Sequence, residues 1–388
     1  MTGLMKNAEI DDLLSSWMRD EWAVESPVRL EASSAAILTR IEFHGIIGLL
    51  NTAYQNKITL PEKLAIDLHE RAVGLAFWEA SHVRLLKRIL PALAAHGITP
   101  LLLKGTALAY SHYADPASRS RGDTDILVAC KDYDRAGGIL RDCGVSTALT
   151  PSGRLITLQR TFKFKDLMGI EHDVDLHERL NDSTFLSRLF TYEELLGRAK
   201  AVPRLSGEAI SISPVDALLL ACMHRFKHLQ SPYFVNGITY YSADRLIWLQ
   251  DIHLLARSFS AEDWTEILKL ARLKGLGQIC YESLLATQSR LKTTLPEGII
   301  EQLQIGNAQN DLKRYMAASK LSRVRMDLNA TQGITRKAQF LREAFFPPAA
   351  HMYEKYNVSS VPTRLPWLYT RRIIGAFWKQ WHRNGRNT

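Results

Sequence analysis

The sequence predicts an α+β fold, a small mixed sheet with helices, flanked by N-terminal and C-terminal helical regions. Three observations lead there. Apolar residues recur at three- and four-residue spacing through the first 95 positions, short apolar or alternating runs gather between 98 and 177, and helical periodicity returns from about 185. The expected organisation is 1–95 as a helical region, 96–213 as the core, 214–350 as a second helical region and 351–388 as a basic aromatic tail.

The N-terminal region reads as helices over 10–22, 30–53 and 62–95, the last carrying the stripe Leu64, Leu68, Val73, Ala76 and Phe77. Pro61 before Glu62 marks a helix start, Pro91 is expected to kink or split the end, and His96-Gly97 to stop it. Such a stripe is packing material, so this region is assigned no site. An apolar run at 98–103 reads as the first buried strand. It is broken by Lys104-Gly105-Thr106, a helical segment over 107–113 and a loop containing Pro116, Arg119 and Arg121. A second apolar strand follows Gly122-Asp123-Thr124-Asp125, then a helix over 131–142 ending at Gly144. Further strands are expected at 155–159, 160–165 and 170–177, with turns at Pro151-Ser152-Gly153 and Met168-Gly169, and a small strand at 208–213. Pro214 starts a helix bearing His224, Lys227 and His228, and 243–257 is another, with Trp248, Asp251 and His253. Helices continue to about 345 with breaks at Gly275, Pro296, Gly306 and Gly333.

Composition narrows the class. A hydrophobic content of 46% and a charged content of 23% suit a globular protein, and 388 residues suffice for a sizeable core. The net charge of +9 favours anionic partners such as nucleotides, nucleic acid or a membrane surface. Cys130, Cys143, Cys222 and Cys280 form no CxxC pair, which argues against a zinc site and for reduced, mostly buried thiols in a cytoplasmic protein. No signal peptide and no membrane-spanning run is expected. The tail 351–388 holds seven Lys or Arg against one Glu, together with Trp367, Trp378 and Trp381. It reads as a solvated face or a weak contact for an anionic surface.

The informative residues are acidic. On a strand, Asp123 and Asp125 point to one side, because side chains alternate with period two. Two carboxylates so placed repel unless a cation lies between them, and hard oxygen ligands suit Mg²⁺. The run 170–177 puts Ile170, His172, Val174 and Leu176 on one face and Glu171, Asp173, Asp175 and His177 on the other. That second face either meets solvent or, if covered, destabilises the fold unless something binds there.

Lys104-Gly105-Thr106, Arg119, Gly122-Asp123-Thr124-Asp125 and Asp175-Leu176-His177 together resemble the uncharacterised nucleotidyltransferase family of the DNA polymerase beta-like nucleotidyltransferase superfamily. The resemblance covers 98–180, and the segments 214–228 and 248–251 also look similar. It implies metal-dependent transfer of a nucleoside monophosphate from an NTP to an unidentified acceptor (protein, RNA or small molecule), with pyrophosphate released. It further implies Asp123, Asp125 and Asp175 as catalytic ligands of Mg²⁺ or Mn²⁺, and Lys104, Gly105, Thr106 and Arg119 as nucleotide contacts. Glycine would let the backbone approach the triphosphate, and a helix N-terminus would favour phosphate. The superfamily more often has Gly-Ser at this turn than Gly-Thr.

Several alternatives stay open at the sequence level. Asp173 rivals Asp175, Arg121 rivals Arg119, and His177 is either a partner behind the ligands or a surface histidine. His224, Trp248 and Asp251 either pack or line an acceptor pocket. A catalytically silent nucleotide- or RNA-binding module, or a membrane-peripheral protein using the tail, would share the same features. The three acidic positions favour the enzyme, since a silent relative would be free to lose one.

Overall fold

The computed structural model describes residues 4–21, 26–57, 60–147, 153, 155–156, 159–180, 183–230, 233–235, 237–241, 243–305, 312, 314–315 and 318–384. Helices α1 (Asn7–Met18), α2 (Pro27–His44), α3 (Ile47–Lys57) and α4 (Glu62–Ala95) precede the sheet. The single helix expected over 30–53 is two. Gly45 adopts a left-handed φ of 71° and ends α2, a conformation glycine takes without a Cβ penalty. Pro91 lies within α4 and does not split it, the helix running on to Ala95.

Seven short strands form one mixed sheet. They are β1 (Leu101–Leu102), β2 (Asp123–Leu127), β3 (Ser146–Thr147), β4 (Gln159–Lys165), β5 (Glu171–His177), β6 (Lys200–Ala201) and β7 (Ile210–Ser211), in the order β3-β4-β5-β2-β1-β7-β6. The central pair β2–β5 is parallel, as is β1–β7, and the remaining neighbours are antiparallel. Helix α5 (Lys104–Ser111) follows β1 and α6 (Tyr133–Asp142) follows β2. The strands expected at 155–159 and 160–165 are one, β4, with Leu155 in a turn before it. Thr157 and Leu158 lie outside the described residues, as do Pro151 and Ser152 of the expected turn and the expected break at Gly306.

Period-two alternation gives the sheet two different faces. Thr124 and Ile126 on β2, Val174 and Leu176 on β5, and Phe162 on β4 turn one way and are all fully buried. The apolar members of that set pack with Leu85, Leu86, Ile89, Leu90 and Leu93 of α4 and with Ala136, Ile139 and Leu140 of α6. Burial of each large side chain contributes roughly 1.5–3 kcal/mol. The opposite face carries Asp123, Asp125 and Leu127 on β2 beside Asp173, Asp175 and His177 on β5. Beyond the sheet come α7 (Tyr192–Arg198), α8 (Pro214–Gln230), the hairpin β8 (Tyr233–Val235) and β9 (Ile238–Tyr240), α9 (Leu246–Ser258), α10 (Ala261–Leu273), α11 (Gly277–Leu291) and α12 (Ile299–Ile305). Leu101, Leu103 and Leu127 join Leu218, Leu219, Ile247 and Ile252 of α8 and α9, and Ile37 and Ile41 of α2, in a second core cluster. The acid-bearing face of the sheet is thus the one turned toward the later helices.

Helices α13 (Lys320–Ala330), α14 (Ile334–Phe345), α15 (Ala349–Tyr356) and α16 (Leu365–Asn384) close the described chain. No helix among the described residues is long and apolar enough to cross a membrane. None of the four cysteines is in a disulfide; Cys222 and Cys280 are buried, Cys143 half-buried and Cys130 exposed, so burial holds for only part of the set.

Gly48 of α3 meets the loop that leads into the site. A Cβ there would stand 2.7 Å from Ser118 Cα, a backbone atom that cannot swing away. Gly48→Ala is therefore expected to destabilise the protein by about 1–3 kcal/mol in denaturant unfolding. An unchanged midpoint would contradict this close approach.

Candidate active site

The site grows from the register of two parallel strands. Asp125 and Asp175 are direct Cα partners across β2 and β5, and Asp123 is level with Asp173. Asp125, Asp175 and His177 each offer a ligand atom within 4.8 Å of the others, and all three are buried. Two of the three predicted carboxylates therefore meet at one point with His177. Asp123 stands two residues back along β2 on the same face, exposed to the cleft. Asp173 is half-exposed and lies 3.6 Å from Lys163 Nζ across the β4 edge. Asp175 is held by Thr161, whose Oγ1 donates to Oδ1 at 2.6 Å, and by Gln159, whose Nε2 donates to Oδ2 at 2.9 Å.

Lys104 supplies the local positive charge. It opens α5 with φ 48°, an uncommon conformation for a side chain larger than glycine. Its Nζ donates to Asp125 Oδ1 at 2.6 Å, and His177 Nε2–H donates to the same oxygen at 2.9 Å. Burial alone would push the Asp125 pKa up, but Lys104 and the His177 hydrogen bond outweigh it and hold it well below the carboxylate range. Burial works against the Lys104 charge, which Asp125 nonetheless stabilises, raising its pKa. Asp123 is pushed up to about 7, first by desolvation in the cleft wall and then by the Asp125 charge. Asp175 is raised too, mainly by burial and partly by Asp125. These are the marks of an anionic cluster short of one cation.

The residues fit a divalent metal on a further count. The carboxylates of Asp125 and Asp175 offer hard oxygen ligands side by side, and the His177 ring stands against them through Nε2, its Nδ1 buried without a partner among the described residues. The Lys104 ammonium stands where a cation would neutralise Asp125.

The predicted nucleotide contacts divide. The N–H groups of Lys104, Gly105 and Thr106 lie in the first turn of α5, before intrahelical bonding begins at Ala107 N to Leu103 O. Gly105 faces the cleft, a cavity of about 190 Å³ whose walls include Lys104, Arg119, Asp123, Asp125, His224, Arg245 and Trp248. Thr106 is buried and its hydroxyl is engaged with Thr124 at 2.7 Å, on the far side of the sheet. Arg119 is paired bidentately with Asp251, Nε to Oδ1 at 2.7 Å and Nη2 to Oδ2 at 2.6 Å, and Tyr113 OH donates to the same carboxylate at 2.7 Å. Arg121 binds Glu79 at 2.7 Å and is likewise taken.

Arg245 was not singled out by the sequence. Its Nε donates to Phe43 O at 2.5 Å, and among the described residues it has no carboxylate partner, since the adjacent Asp244 binds Arg225. Burial, with Arg119 as a like charge nearby, lowers its pKa to about 10. Nothing in the local sequence marks it, because which arginines Asp244 and Asp251 pair with is set by the fold. Gln159 and Thr161 were also missed, although their period-two placement on β4 puts them on the acid face. His224 packs edge-on against Trp248 at 5.5 Å, and both line the cleft. A larger cavity of about 510 Å³ lies past the other end of β2, beside Leu127, Phe190 and Arg336, and includes none of Asp123, Asp125 or Asp175.

A carboxyl whose folded pKa is raised binds its proton more tightly folded than unfolded. Its contribution to stability is present at low pH and lost as pH rises through the folded value. Metal-free wild type is therefore expected to lose stability, through Asp123, between about pH 4 and pH 7, while Asp123→Asn loses less over the same window. Parallel melting curves of the two proteins in chelator would contradict the shift.

No curated protein and no solved structure matches the chain. The model of the family described as uncharacterised nucleotidyltransferase matches residues 31–292, from α2 through the strands and cleft helices to the end of α11. With most of its length matched, including every residue of the acidic cluster and the Lys104 turn, the chain belongs to the uncharacterised nucleotidyltransferase family.

Proposed function

We propose that this protein transfers a nucleoside monophosphate from an NTP to an acceptor, releasing pyrophosphate, at the cleft between β2, β5, α5 and the helices α8 and α9. The observation that carries the proposal is the Asp125–Asp175 cross-strand pair, buried beside Lys104 and His177, with Lys104, Asp123 and Asp125 themselves in the cleft wall. Asp125 and Asp175 hold Mg²⁺ or Mn²⁺, with Asp123 completing the acidic set and His177 steadying Asp125. A bound divalent ion would supply roughly several kcal/mol of charge stabilisation at the phosphoryl oxygens. The chain's own residues do the positioning on which such reactions depend. The first-turn N–H groups of α5 receive phosphate oxygens, and Gly105 leaves room for them. Lys104, whose Nζ lies 2.6 Å from Asp125 Oδ1, would supply positive charge between that carboxylate and the phosphates. Arg245 meets the polyphosphate, because its guanidinium lacks a carboxylate while Arg119 and Arg121 are each neutralised. Arg119 acts by fixing the loop through Asp251. The segment 96–213 forms the catalytic core and 214–350 closes the cleft from above.

The acceptor is sought by incubating the protein with alpha-labelled nucleotides, Mg²⁺ or Mn²⁺ and cell extract, and looking for a labelled product. Asp125→Asn and Asp175→Ala are expected to abolish labelling and Mn²⁺-induced thermal stabilisation, since a ligand stabilises only the state that binds it. Asp173→Ala is expected to leave a measurable fraction of labelling and most of the stabilisation, because its carboxylate lies roughly 6–7 Å along the strand from Asp175 and beside Lys163. Wild type that labels nothing with any of the four nucleotides and binds none would sink the proposal.

Arg245→Ala is expected to weaken NTP binding roughly tenfold or more at low salt, and less as salt rises, because a half-buried phosphate contact is partly screened. Calorimetry with equal affinities at low salt would remove Arg245 from the site.

A further inference from the structure

Beneath the catalytic strand, on the face away from the metal ligands, a line of hydrogen bonds runs from the phosphate-facing turn to the surface. Arg121 Nε is 3.0 Å from Thr106 Oγ1, which is 2.7 Å from Thr124 Oγ1. Thr124 Oγ1 is 2.5 Å from His82 Nε2, and His82 Nδ1 is 3.1 Å from His172 Nδ1. His172 Nε2 is 2.9 Å from Ser81 Oγ, which is 2.5 Å from Asp166 Oδ2. Thr106, Thr124, Ser81 and both histidines are buried. Trp78 stacks on His82 with centroids 4.4 Å apart and planes at 14°.

The protons along this line have one consistent arrangement, fixed from the Asp166 end and matched by the donor at the Arg121 end. Asp166 accepts two backbone N–H groups at Oδ1, from Met168 and Ile170, and is therefore ionised, so Ser81 must donate its only proton to Oδ2. Ser81 Oγ then accepts from His172 Nε2–H, leaving His172 Nδ1 as an acceptor. His82 must carry its proton on Nδ1 and accept at Nε2, where Thr124 donates. Thr106 then donates to Thr124, its other neighbour (Asp123 O at 3.5 Å) being too distant to compete. At the far end Arg121 Nε can only donate, and Thr106 Oγ1 is left with a lone pair to receive it. A reversed or doubly protonated histidine would set two donors face to face in a buried site.

We propose that His82 and His172 are positioning residues for the nucleotide site, forming a one-way relay that locks Thr124 of β2, Thr106 of α5 and Arg121 of the intervening loop into a single geometry. This rests on the nucleotidyl-transfer reading for its consequence but not for its existence. Thr124 lies between Asp123 and Asp125, and Thr106 lies in the turn whose N–H groups face the cleft. The bond between these two hydroxyls therefore ties the strand position between the carboxylates to the turn whose amides face the cleft.

The test combines ¹⁵N-histidine NMR with calorimetry. In wild type, the resonances assigned through His82→Gln and His172→Gln are expected to show His82 as the Nδ1–H tautomer and His172 as the Nε2–H tautomer. Thr124→Val, which keeps the volume and removes the hydroxyl, is expected to mix the His82 tautomers and weaken binding of a non-hydrolysable Mg·NTP roughly fivefold or more. Thr124→Ser restores both. The opposite tautomers, or free exchange between tautomers in wild type, overturn the relay. Correct tautomers with equal nucleotide affinity in wild type and Thr124→Val overturn its positioning role, as does a Thr124→Ser protein no better than Thr124→Val. If wild type binds no nucleotide, the transfer reading fails instead. Mn²⁺ affinity of the same three proteins then decides the relay, equal values overturning it and a loss in Thr124→Val restored by Thr124→Ser supporting it.

Discussion

Carboxylates gathered on one face of two parallel strands are the constraint the rest of this structure answers to. The β2–β5 register puts Asp125 beside Asp175, and strand alternation then forces Asp123, Asp173 and His177 onto the same side. In a region of low dielectric such a group repels itself, and the chain responds in two ways. Lys104 accepts a left-handed backbone and lies against Asp125, while Thr161 and Gln159 donate to Asp175. Where these donors do not reach, the charge is resisted instead, and Asp123 titrates near 7. The site is compact because the sheet is parallel at this pair. An antiparallel neighbour would have paired different residues with Asp125.

The cations around the cleft divide by what already holds them. Arg119, Arg121 and Lys104 each meet a carboxylate, and the first two pairs are buried. Removing one member of a buried pair costs about 3–5 kcal/mol, since it strands the other charge. Such arginines are therefore better at fixing loops than at releasing themselves to a ligand. The Arg119–Asp251 pair joins the loop before β2 to α9, and so ties the acidic strand to the helices opposite it. Arg245 donates through Nε to a backbone carbonyl and, among the described residues, meets no carboxylate.

Much of this was legible in the sequence, and the limits have physical causes. Asp123, Asp125 and Asp175 could be found because period two is a strong local signal, and the polar face of 170–177 does lie on the site side. The register that separates Asp175 from Asp173 is a contact between strands distant in sequence, and only a family resemblance carried it. Arg119 looked like a phosphate contact because its partner Asp251 is remote in the chain. The pairs His82–Thr124 and His172–Ser81 were invisible for the same reason, although His172 was the one polar residue on the apolar face of its strand. Strands of two or three residues, such as β3, β6, β8 and β9, are too short for alternation to register. Gly45 broke a helix whose apolar spacing continues across it, so periodicity alone favoured one element over two.

The segment beyond the family match is attached by directed contacts rather than by apolar area alone. Asp327 of α13 accepts from Ser183 Oγ at 2.7 Å, Phe185 N at 2.9 Å and Tyr315 OH at 2.7 Å, and Phe185 stacks on Tyr315 with planes at 7°. Glu343 of α14 accepts from Leu155 N at 2.7 Å, ahead of β4. Both carboxylates are buried, so each bond must be made in one geometry or the group is left unsatisfied. Apolar packing tolerates a shifted helix far better than a buried carboxylate tolerates a lost donor. The chain leaving β5 and the chain entering β4 are thereby pinned by the same distal helices. These two strands supply Asp175 and both of its hydrogen-bond donors, so the distal helices bond to the chain on either side of that cluster.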